Sequence, residues 1–408
     1  MASITSPCWA PSPGFPGGRW AGRAGRPSRC GSQRAMIRLL SFTTLYPNPA
    51  APNHGVFVEN RLRHLVASGE ACSTVLAPVP FYTSVPAEER RQGLRVLHPR
   101  FATLPGLGLM TSPIGLFLSA RRRLTRMMRE GFDFDVLDAH YLHPEGIAAL
   151  RLGQHFGKPV VLTARGSDVS LLPRYAGPRR AIQRAMRGAD ALIAVSAGLK
   201  AGMVELGAPA GKITVLRNGV DLDLFHPAET RAPHPPTLLS VGLLIPRKGH
   251  DRIIAALPEL PGFRLRILGE GPERGRLEAQ AQALGVADRV EMPGAVPHAA
   301  LPAQYAAADA LVLASTREGW ANVLLEAMAC GTPVLASPAW GCREAVRAPE
   351  AGRLLADFSV EAIVQGVRAL FAALPDRAAT RRYAEGFGWD DTTAGQLTVF
   401  RRVMGRPC

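Results

Sequence analysis

Residues 317–334 read REGWANVLLEAMACGTPV, and this stretch indicates a strand–loop–helix unit. A short apolar run ends near Ala314, and the apolar positions that follow the loop predict a helix over residues 322–330. Gly331 suits the C-terminal cap of that helix, and Pro333 prevents its continuation. Strands and helices that alternate in this order are typical of a parallel sheet covered by helices.

Two glutamates give this unit its chemical character. Glu318 lies in the loop, and Glu326 lies about one turn inside the predicted helix. The N–H groups at the N-terminus of that helix, near Asn322, favour a phosphate. A carboxylate one turn further in is placed to accept hydrogen bonds from ribose hydroxyls, whereas Glu318 is nearer to a bound sugar. Two solvated surface acids are the alternative, which the spacing and the Gly-Thr-Pro at residues 331–333 disfavour.

The same alternation extends outward from this stretch. In the first half, the sequence predicts strands at residues 73–78, 94–97, 136–139, 160–163, 191–195 and 213–216. The helical segments of that half are predicted at residues 56–67, 116–129, 146–155 and 179–187. In the second half, strands are predicted at residues 237–241, 264–268, 290–292, 310–314 and 333–336. The chain is therefore predicted to be an α/β protein with two doubly wound domains.

A proline-rich segment separates the two series of strands. Residues 226–236 contain four prolines, which cannot continue a helix or a central strand. We place an N-terminal domain at residues 36–226 and a C-terminal domain at residues 227–385. Residues 386–408 are predicted to form a helix that packs back on the N-terminal domain. Two such domains that face each other form a cleft, the usual place for a substrate site.

The composition is that of an ordinary globular protein, with 47% hydrophobic and 20% charged residues. The net charge of +15 favours anionic partners, but no recognition-helix or single-strand-binding signature accompanies it, so we do not expect nucleic acid as a partner. The sequence contains no apolar stretch of about 20 residues that would predict a membrane span. The six cysteines form no CxxC pair and no metal-type cluster, which indicates free thiols in a cytoplasmic protein.

Residues 1–35 differ from the rest of the chain. They are rich in Pro, Gly, Ser and Arg, contain no acid, and lack the apolar segment of a secretion signal. We interpret them as a disordered basic tail or as a mis-assigned start, with translation that begins at Met36, directly before the first strand.

The segment around the paired glutamates resembles the motif of glycosyltransferase family 4, and the resemblance covers most of the chain from Met36 onward. It implies the GT-B fold, a nucleotide-sugar donor and retention of the anomeric configuration. It also implies that Glu318 contacts hydroxyls of the donor sugar and that Glu326 holds the ribose. Donor contacts are expected as well from the residues between them: Gly319, Trp320, Ala321 and Asn322.

A second match lies at residues 240–250, SVGLLIPRKGH, which resemble the family's diphosphate-binding loop. Lys248 fits the position of the family lysine, so the resemblance implies a catalytic role for it beside Glu318. Many members carry an arginine where this chain has Leu243. One expected cation is therefore absent, and Arg247 is the candidate to replace it.

Two further loops are expected to approach the donor. Residues 293–297, PGAVP, lie where the family's loop meets the nucleotide base, and Val296 is the predicted contact. In the first domain, Gly55 belongs to a loop that approaches the donor phosphates in relatives, where a glycine allows close backbone contact. The motif NGVD at residues 218–221 also matches the family, and we interpret it as structural.

Polar residues follow two strands of the first domain. His140 stands where family members often have a histidine over the donor sugar, so it is a candidate for the reaction centre. A structural role for a single histidine at a strand end is the alternative. Arg165 stands where many relatives have histidine, and we predict that Arg165 and Asp168 contact the acceptor or a phosphate.

Asp133-Phe134-Asp135 has the form of the DxD metal motif of another glycosyltransferase fold. It precedes a strand rather than following one, so we interpret the match as coincidental. We therefore expect no essential metal and no cofactor. Positive charge at Lys248 and at the helix N-terminus would stabilise the departing diphosphate instead.

A basic stretch at residues 116–129 follows the mostly apolar residues 104–114. Its arginines are Arg121, Arg122, Arg123, Arg126 and Arg129. One interpretation is a solvated helix face over a core, and the other is docking on an anionic membrane surface. We expect a cytoplasmic protein, with peripheral attachment to the inner face of the membrane as the second possibility.

Together these features predict a retaining glycosyltransferase. It would move a sugar from a nucleoside-diphosphate sugar to a hydroxyl of a glycan or lipid-linked acceptor, in polysaccharide or glycolipid assembly. A GT-B-fold epimerase or phosphorylase and a non-catalytic basic binding module are the alternatives. The sequence leaves open the base, the sugar, the acceptor, the linkage and the oligomeric state.

Overall fold

The structure is a computed structural model that describes residues 36–104, 106, 108–230 and 234–405. The interpretations of residues 1–35 and of the middle of the proline-rich segment lie outside the described residues. The described chain forms two α/β domains, each built on a mostly parallel sheet, which confirms the predicted fold class.

The N-terminal domain is built on one large sheet. Its strands are β1 Ile37–Phe42, β2 Ala71–Leu76, β3 Val79–Pro80, β4 Glu88–Arg91, β5 Leu94–Leu97, β6 Arg100–Phe101, β7 Val136–His140, β8 Val160–Ala164, β9 Ala191–Ala194 and β10 Ile213–Val215. The large sheet has the order β10-β9-β8-β7-β1-β2-β5-β4, and β4 alone among these runs antiparallel to its neighbour. The helices are α1 Val56–Ala67, α2 Gly108–Arg129, α3 Glu145–Phe156, α4 Ser167–Ser170, α5 Ala176–Gly188 and α6 Ala197–Glu205. The central strands β7 and β8 are buried at every position, as expected of strands covered on both faces.

The C-terminal domain repeats this architecture. Its strands are β11 Thr237–Val241, β12 Arg264–Leu268, β13 Val290–Gly294, β14 Ala310–Leu313, β15 Val334–Ala336 and β16 Gly352–Leu354, in the all-parallel order β13-β12-β11-β14-β15-β16. The helices are α7 His250–Ala256, α8 Arg274–Ala283, α9 Leu301–Ala307, α10 Asn322–Ala329, α11 Trp340–Ala345, α12 Val360–Ala372, α13 Arg377–Glu385 and α14 Asp390–Val403. Short 3-10 turns at Pro246–Lys248 and His298–Ala300 precede α7 and α9.

Some boundaries differ from the prediction for local reasons. The helix expected over residues 116–129 begins at Gly108, and Pro113 inside it costs one backbone hydrogen bond without ending it. Helix α5 begins at Ala176 instead of Arg179, because a proline such as Pro178 is tolerated in the first turn. The edge strand β4 was missed because its sequence, EERR, carries no apolar alternation.

The last helix joins the two domains. Leu397, Val399 and Phe400 of α14 are buried in the same apolar cluster as side chains of β1 and α1. Before that helix, the Val220 N–H donates to the Phe387 carbonyl at 2.9 Å. The two segments in which the chain passes between the domains therefore lie side by side. The loops that follow β8 and β14 also meet across the domain boundary, so the carboxyl ends of the two sheets face one cleft.

Candidate active site

A cavity of about 350 Å³ lies between the two domains. The loop and helix after β1 contribute Asn53, Phe57 and Asn60, and the C-terminal domain contributes Gly242, Leu243, Glu270, Val296, His298, Asn322 and Glu326. Mostly apolar walls with a few polar groups are typical of a small-molecule site. Of the residues predicted to bind the donor, the cavity wall includes Val296, Asn322 and Glu326.

The buried carboxylate of Glu326 is held by two side chains. The Tyr305 hydroxyl donates to Glu326 Oε2 at 2.7 Å, and His298 Nε2 lies 3.4 Å from Oε1. The Phe225 ring packs edge-on against the His298 ring, with a centroid distance of 5.2 Å. These contacts fix Glu326 in the cavity wall, where it can accept hydrogen bonds from a bound ligand.

His298 was not singled out in the sequence. Burial lowers the pKa of its ring, but the hydrogen bond and charge of Glu326 outweigh that effect, and the pKa lies above its usual value. The available signal was its position two residues after Val296, in the loop predicted to meet the base. The structure thus adds a titratable group beside the predicted ribose site.

Lys248 and Glu318 form a partly buried ion pair. Lys248 Nζ lies 2.7 Å from Glu318 Oε1, and Arg247 NH1 lies 4.0 Å from the same oxygen. Burial opposes ionisation of Glu318, but Lys248 lowers its pKa below the usual range, so the carboxylate is charged at neutral pH. A Cβ at Gly242 would lie 3.3 Å from Lys248 Cε, and Gly242 lines the cavity. The ion pair therefore borders the cavity.

Gly319 brings the two domains into backbone contact beside this pair. A Cβ at position 319 would lie 2.2 Å from the Arg165 carbonyl oxygen and 2.8 Å from Gly166 Cα. A side chain would force these loops apart. The glycine that follows Glu318 is therefore required by the approach of the loop after β8.

Trp320 and Asn322 connect this loop to Asn218, in the segment that leads from the N-terminal to the C-terminal domain. Trp320 is buried, and its indole N–H donates to the Asn218 carbonyl at 3.0 Å. The Asn218 side chain donates to Asn322 Oδ1 at 3.1 Å, at the start of α10. Trp320 thus holds the loop in place, because its indole N–H is hydrogen-bonded within the protein. Ala321 is the N-cap of α10 and has no side chain that could cap the N–H groups behind it.

His140 and Arg165 meet on the N-terminal side of the cleft. Arg165 NH2 lies 2.8 Å from His140 Nδ1, and Arg165 NH1 donates to Asn218 Oδ1 at 3.0 Å. His140 Nε2 lies 3.4 Å from Asp138 Oδ2, and both of these side chains are fully buried. Burial and the neighbouring Arg165 lower the pKa of His140 in spite of Asp138, so the imidazole is neutral.

A second buried arginine, Arg61, belongs to the same cluster. Its NH1 donates to the Leu216 carbonyl at 3.1 Å and to Asn218 Oδ1 at 3.2 Å. Burial lowers the pKa of Arg61 to about 10, which still leaves it charged at neutral pH. Sequence reasoning missed it, because one arginine in an amphipathic helix is expected on the solvent face. Asn218, interpreted as structural, joins Arg61 and Arg165 to α10.

The structure differs from the expectation for Asp168 and Arg165. The Asp168 carboxylate accepts backbone N–H groups of Leu142, Arg165 and Gly166 at 2.7–3.1 Å and is fully buried. These contacts hold the loop after β8, and a role of Asp168 toward an acceptor or a phosphate stays a prediction. Arg165 is buried as well, with its donors directed to His140 and Asn218, so its contacts are with the protein.

The expectation for Gly55 also changes. It is the N-cap of α1 with a φ of 73°, and a Cβ there would lie 2.3 Å from the Leu45 carbonyl. The close backbone approach that requires glycine is therefore to Leu45. In the same loop, Asn53 lines the cavity, and its Nδ2 donates to the Val296 carbonyl at 3.4 Å across the domain boundary.

Asp133 and Asp135 lie at the amino end of β7, whereas the candidate site faces the carboxyl ends of the strands. Arg38 forms ion pairs with both of them at 2.8 Å, and Lys158 Nζ lies 2.8 Å from Asp133 Oδ1. The two carboxylates thus pair with cations on neighbouring segments of the sheet, away from the cavity.

Comparison with known proteins identifies the family. Residues 54–224 match the model described as Glycosyltransferase Family 4, and residues 223–387 match the model described as Glycosyl transferases group 1. The two matches adjoin near the crossing segment and cover both domains.

Similar proteins agree with these matches. A D-inositol 3-phosphate glycosyltransferase of Segniliparus rotundus is 35% identical over 214 residues, which are 47% of either chain. A GDP-mannose-dependent alpha-(1-6)-phosphatidylinositol monomannoside mannosyltransferase of Mycobacterium tuberculosis is 30% identical over 397 residues, 90% of this chain and 98% of that protein. The solved structure of sucrose-phosphate synthase from Thermosynechococcus elongatus shares the fold, with a TM-score of 0.78 at 20% identity over 90% of this chain and 99% of that one. The chain thus belongs to glycosyltransferase family 4, and it is a GT-B glycosyltransferase.

Proposed function

We propose that this glycosyltransferase uses a nucleoside-diphosphate sugar, with the nucleoside in the 350 Å³ cavity and the sugar beside Glu318. The observation that carries the proposal is the charged Lys248–Glu318 pair at the border of a cavity whose wall contains Glu326. A cation beside a carboxylate matches a donor whose diphosphate lies next to sugar hydroxyls. The GDP-mannose dependence of the mycobacterial relative supports a donor of this class.

Each part of the site has a task in this mechanism. The N-terminus of α10 and Lys248, with Arg247 close by, stabilise the negative charge that develops on the departing diphosphate. Glu326 accepts hydrogen bonds from the ribose, and Glu318 accepts them from the donor sugar. The anomeric carbon becomes oxocarbenium-like, as in other glycosyl transfers.

We propose further that the reaction retains the anomeric configuration. The acceptor hydroxyl attacks from the leaving-group face, and the departing diphosphate takes its proton. The proposal rests on membership of the family, and it assigns no nucleophile to the protein. The contact of Gly319 with the loop after β8 supports a closed state in which water is kept from the sugar.

The assay is transfer from UDP-, GDP- and ADP-sugars, followed as release of nucleoside diphosphate, with the anomeric configuration of the product read by NMR. We expect one donor class to be used, a retained configuration, and full activity in EDTA. An inverted product would contradict the retaining mechanism. Loss of activity in EDTA with recovery in magnesium or manganese would contradict metal independence and point back to Asp133 and Asp135.

We also propose that α2 contacts an anionic membrane, which would supply a lipid-linked acceptor. Among the described residues, no helix is long and apolar enough to cross a bilayer. One face of α2 exposes an apolar and then a basic stripe at helical spacing: Met110, Ile114, Leu118, Arg122 and Arg126. The opposite face, which includes Leu116, Ala120 and Leu124, is buried in the core. Exposed apolar side chains beside arginines are the features of a surface-bound helix.

Co-sedimentation with anionic liposomes tests this proposal. We expect wild-type protein to bind at low salt and to bind less as the Debye length falls from about 10 Å at 0.1 M to about 3 Å at 1 M. Glu at Arg121, Arg122 and Arg126 should abolish binding. A control with Glu at Arg353, Arg382 and Arg402, which are exposed outside α2, should retain it. Equal binding by both variants would leave α2 as a solvated helix face.

A further inference from the structure

A second cavity, of about 540 Å³, lies next to the loop that carries Glu318. Loops and helices after β8 and β9 form one wall, and segments after β14, β15 and β16 form the other. Its charged and aromatic lining consists of Arg174, Arg179, Glu205, Arg317, Glu318, Trp340 and Phe358. Glu318 is therefore common to the ion pair with Lys248 and to the wall of this cavity. Among the described residues, the two cavities share no lining residue.

The lining of this cavity carries a net positive charge. Arg174 and Arg179 are exposed and Arg317 is partly exposed, and none of the three has an ion-pair partner in the described parts of the chain. The acids in the wall are Glu318, which is paired with Lys248, and Glu205. Guanidinium groups that lack a protein partner remain available to an anion, and their planar donors suit phosphate or carboxylate.

The local fold gives no structural reason for this charge. Arg174 directly precedes α5, and Arg179 lies one turn inside it, in a helix whose first turn contains no acid. Cations near a helix N-terminus are disfavoured by the helix dipole. The arginines therefore do not stabilise the helix that carries them.

Two aromatic side chains give the cavity a flat apolar surface. Trp340 and Phe358 are 40% and 39% exposed, although large aromatic side chains usually bury most of their surface. Trp340 is itself fixed, because its ring packs against Gly198 and Gly202 of α6. A rigid aromatic surface beside unpaired arginines suits a ligand with a ring and an anionic group.

We propose that this cavity binds the acceptor, and that the acceptor carries a phosphate or a carboxylate. The proposal rests on the proposed function, because Glu318 there contacts the donor sugar. An acceptor held by Arg174, Arg179 and Arg317 has its sugar ring against Trp340 and its hydroxyl toward Glu318. Binding in a cavity separate from the nucleotide allows donor and acceptor to be bound together.

The test is calorimetry with small probes on the full chain. UDP, GDP and ADP are titrated first, and the one that binds is kept saturating so that the phosphate site at Lys248 is filled. Glucose 6-phosphate, glucuronate and glucose are then titrated. We expect the two anionic probes to bind at least tenfold more tightly than glucose, and the stronger of the two identifies the anionic group.

Arg179→Gln has a matched control in Arg180→Gln, since both arginines are exposed on α5 and only Arg179 lines the cavity. We expect Arg179→Gln to weaken the anionic probes at least tenfold and to leave nucleotide binding unchanged, whereas Arg180→Gln should behave as wild type. Equal affinity for glucose and the anionic probes, or equal loss in both variants, overturns the proposal. If no nucleotide binds, the proposed function fails, and the same titration on the free chain still decides whether this cavity binds an anion.

Discussion

At the residue scale, the paired glutamates have different surroundings. Glu318 is paired with a cation, whereas Glu326 is held by the hydroxyl of Tyr305 and by His298. The carboxylate beside Lys248 stays ionised, as the proposed contact with the donor sugar requires. The carboxylate of Glu326 is oriented by neighbouring side chains, as the proposed contact with a ribose requires. We therefore expect Glu326 to affect nucleotide binding and Glu318 to affect turnover.

His298 gives the first residue-scale prediction. Its pKa is raised in the folded chain by Glu326, so its contribution to stability is full below the ordinary value of 6.5 and is lost as pH rises through the folded pKa. We expect the stability advantage of wild type over His298→Gln to shrink between pH 6 and pH 9, as measured by urea denaturation. An advantage that is constant or grows with pH would show that His298 does not pair with Glu326.

Gly319 gives the second residue-scale prediction. An alanine at this position would push against the Arg165 carbonyl, so the loops after β8 and β14 could not close together. We expect Gly319→Ala to lower kcat at least tenfold while the Kd for nucleoside diphosphate changes less than twofold. Gly275→Ala in α8 is the control, because a Cβ there meets no atom within 4 Å. An unchanged kcat would mean that closure at Gly319 does not limit the reaction.

These residues also show what the sequence could and could not predict. Glu318, Lys248 and Glu326 could be predicted as site residues because motif spacing is local and the chemistry of each side chain is distinctive. The contacts of Arg61 with Leu216 and Asn218 could not be found, because they join residues 155 and 157 positions apart and depend on how the chain folds. The burial of Asp168 could not be predicted either. The sequence alone does not distinguish a buried acid that accepts backbone N–H groups from an acid exposed in a cleft.

At the element scale, apolar periodicity predicted the long helices and the buried strands. It failed at β4, whose side chains are charged, and at the start of α2, which begins at Gly108 instead of residue 116. Edge strands and helix ends depend on neighbours in space, which local sequence does not specify. The bounds of α1, β5, β11 and β12 were predicted to the residue, and those of β7, β8 and α10, whose ends face the site, to within one residue.

Helix α14 gives the element-scale prediction. Phe400 is fully buried in the apolar cluster of the N-terminal domain, whereas Thr398 is exposed on the same helix. Phe400→Ala should cost about 3–5 kcal/mol of unfolding free energy, because it removes a large ring and leaves a cavity. Thr398→Ala should change stability little. Similar denaturant midpoints for both variants would mean that α14 does not support the N-terminal domain.

At the scale of the whole molecule, the two α/β domains meet through apolar packing and through polar contacts along the cleft. Asn218 reaches Arg61 and Arg165 in one domain and Asn322 in the other, and Asn53 reaches the Val296 carbonyl. Asn53, Val296 and Asn322 also line the 350 Å³ cavity. In the proposed mechanism, the C-terminal domain holds most of the nucleoside and closure of the two domains completes the site.

The central claim is that the C-terminal domain holds the donor through Glu326 and Glu318 in separate roles, and calorimetry of nucleoside diphosphate binding tests it most directly. Glu326→Ala should lose about 1.5–3 kcal/mol, roughly a tenfold to hundredfold rise in Kd, because the ribose hydroxyls lose a charged acceptor. Glu318→Ala should bind free nucleoside diphosphate nearly as wild type does, although its turnover with the nucleotide sugar falls. Unchanged nucleotide affinity in Glu326→Ala would contradict the account.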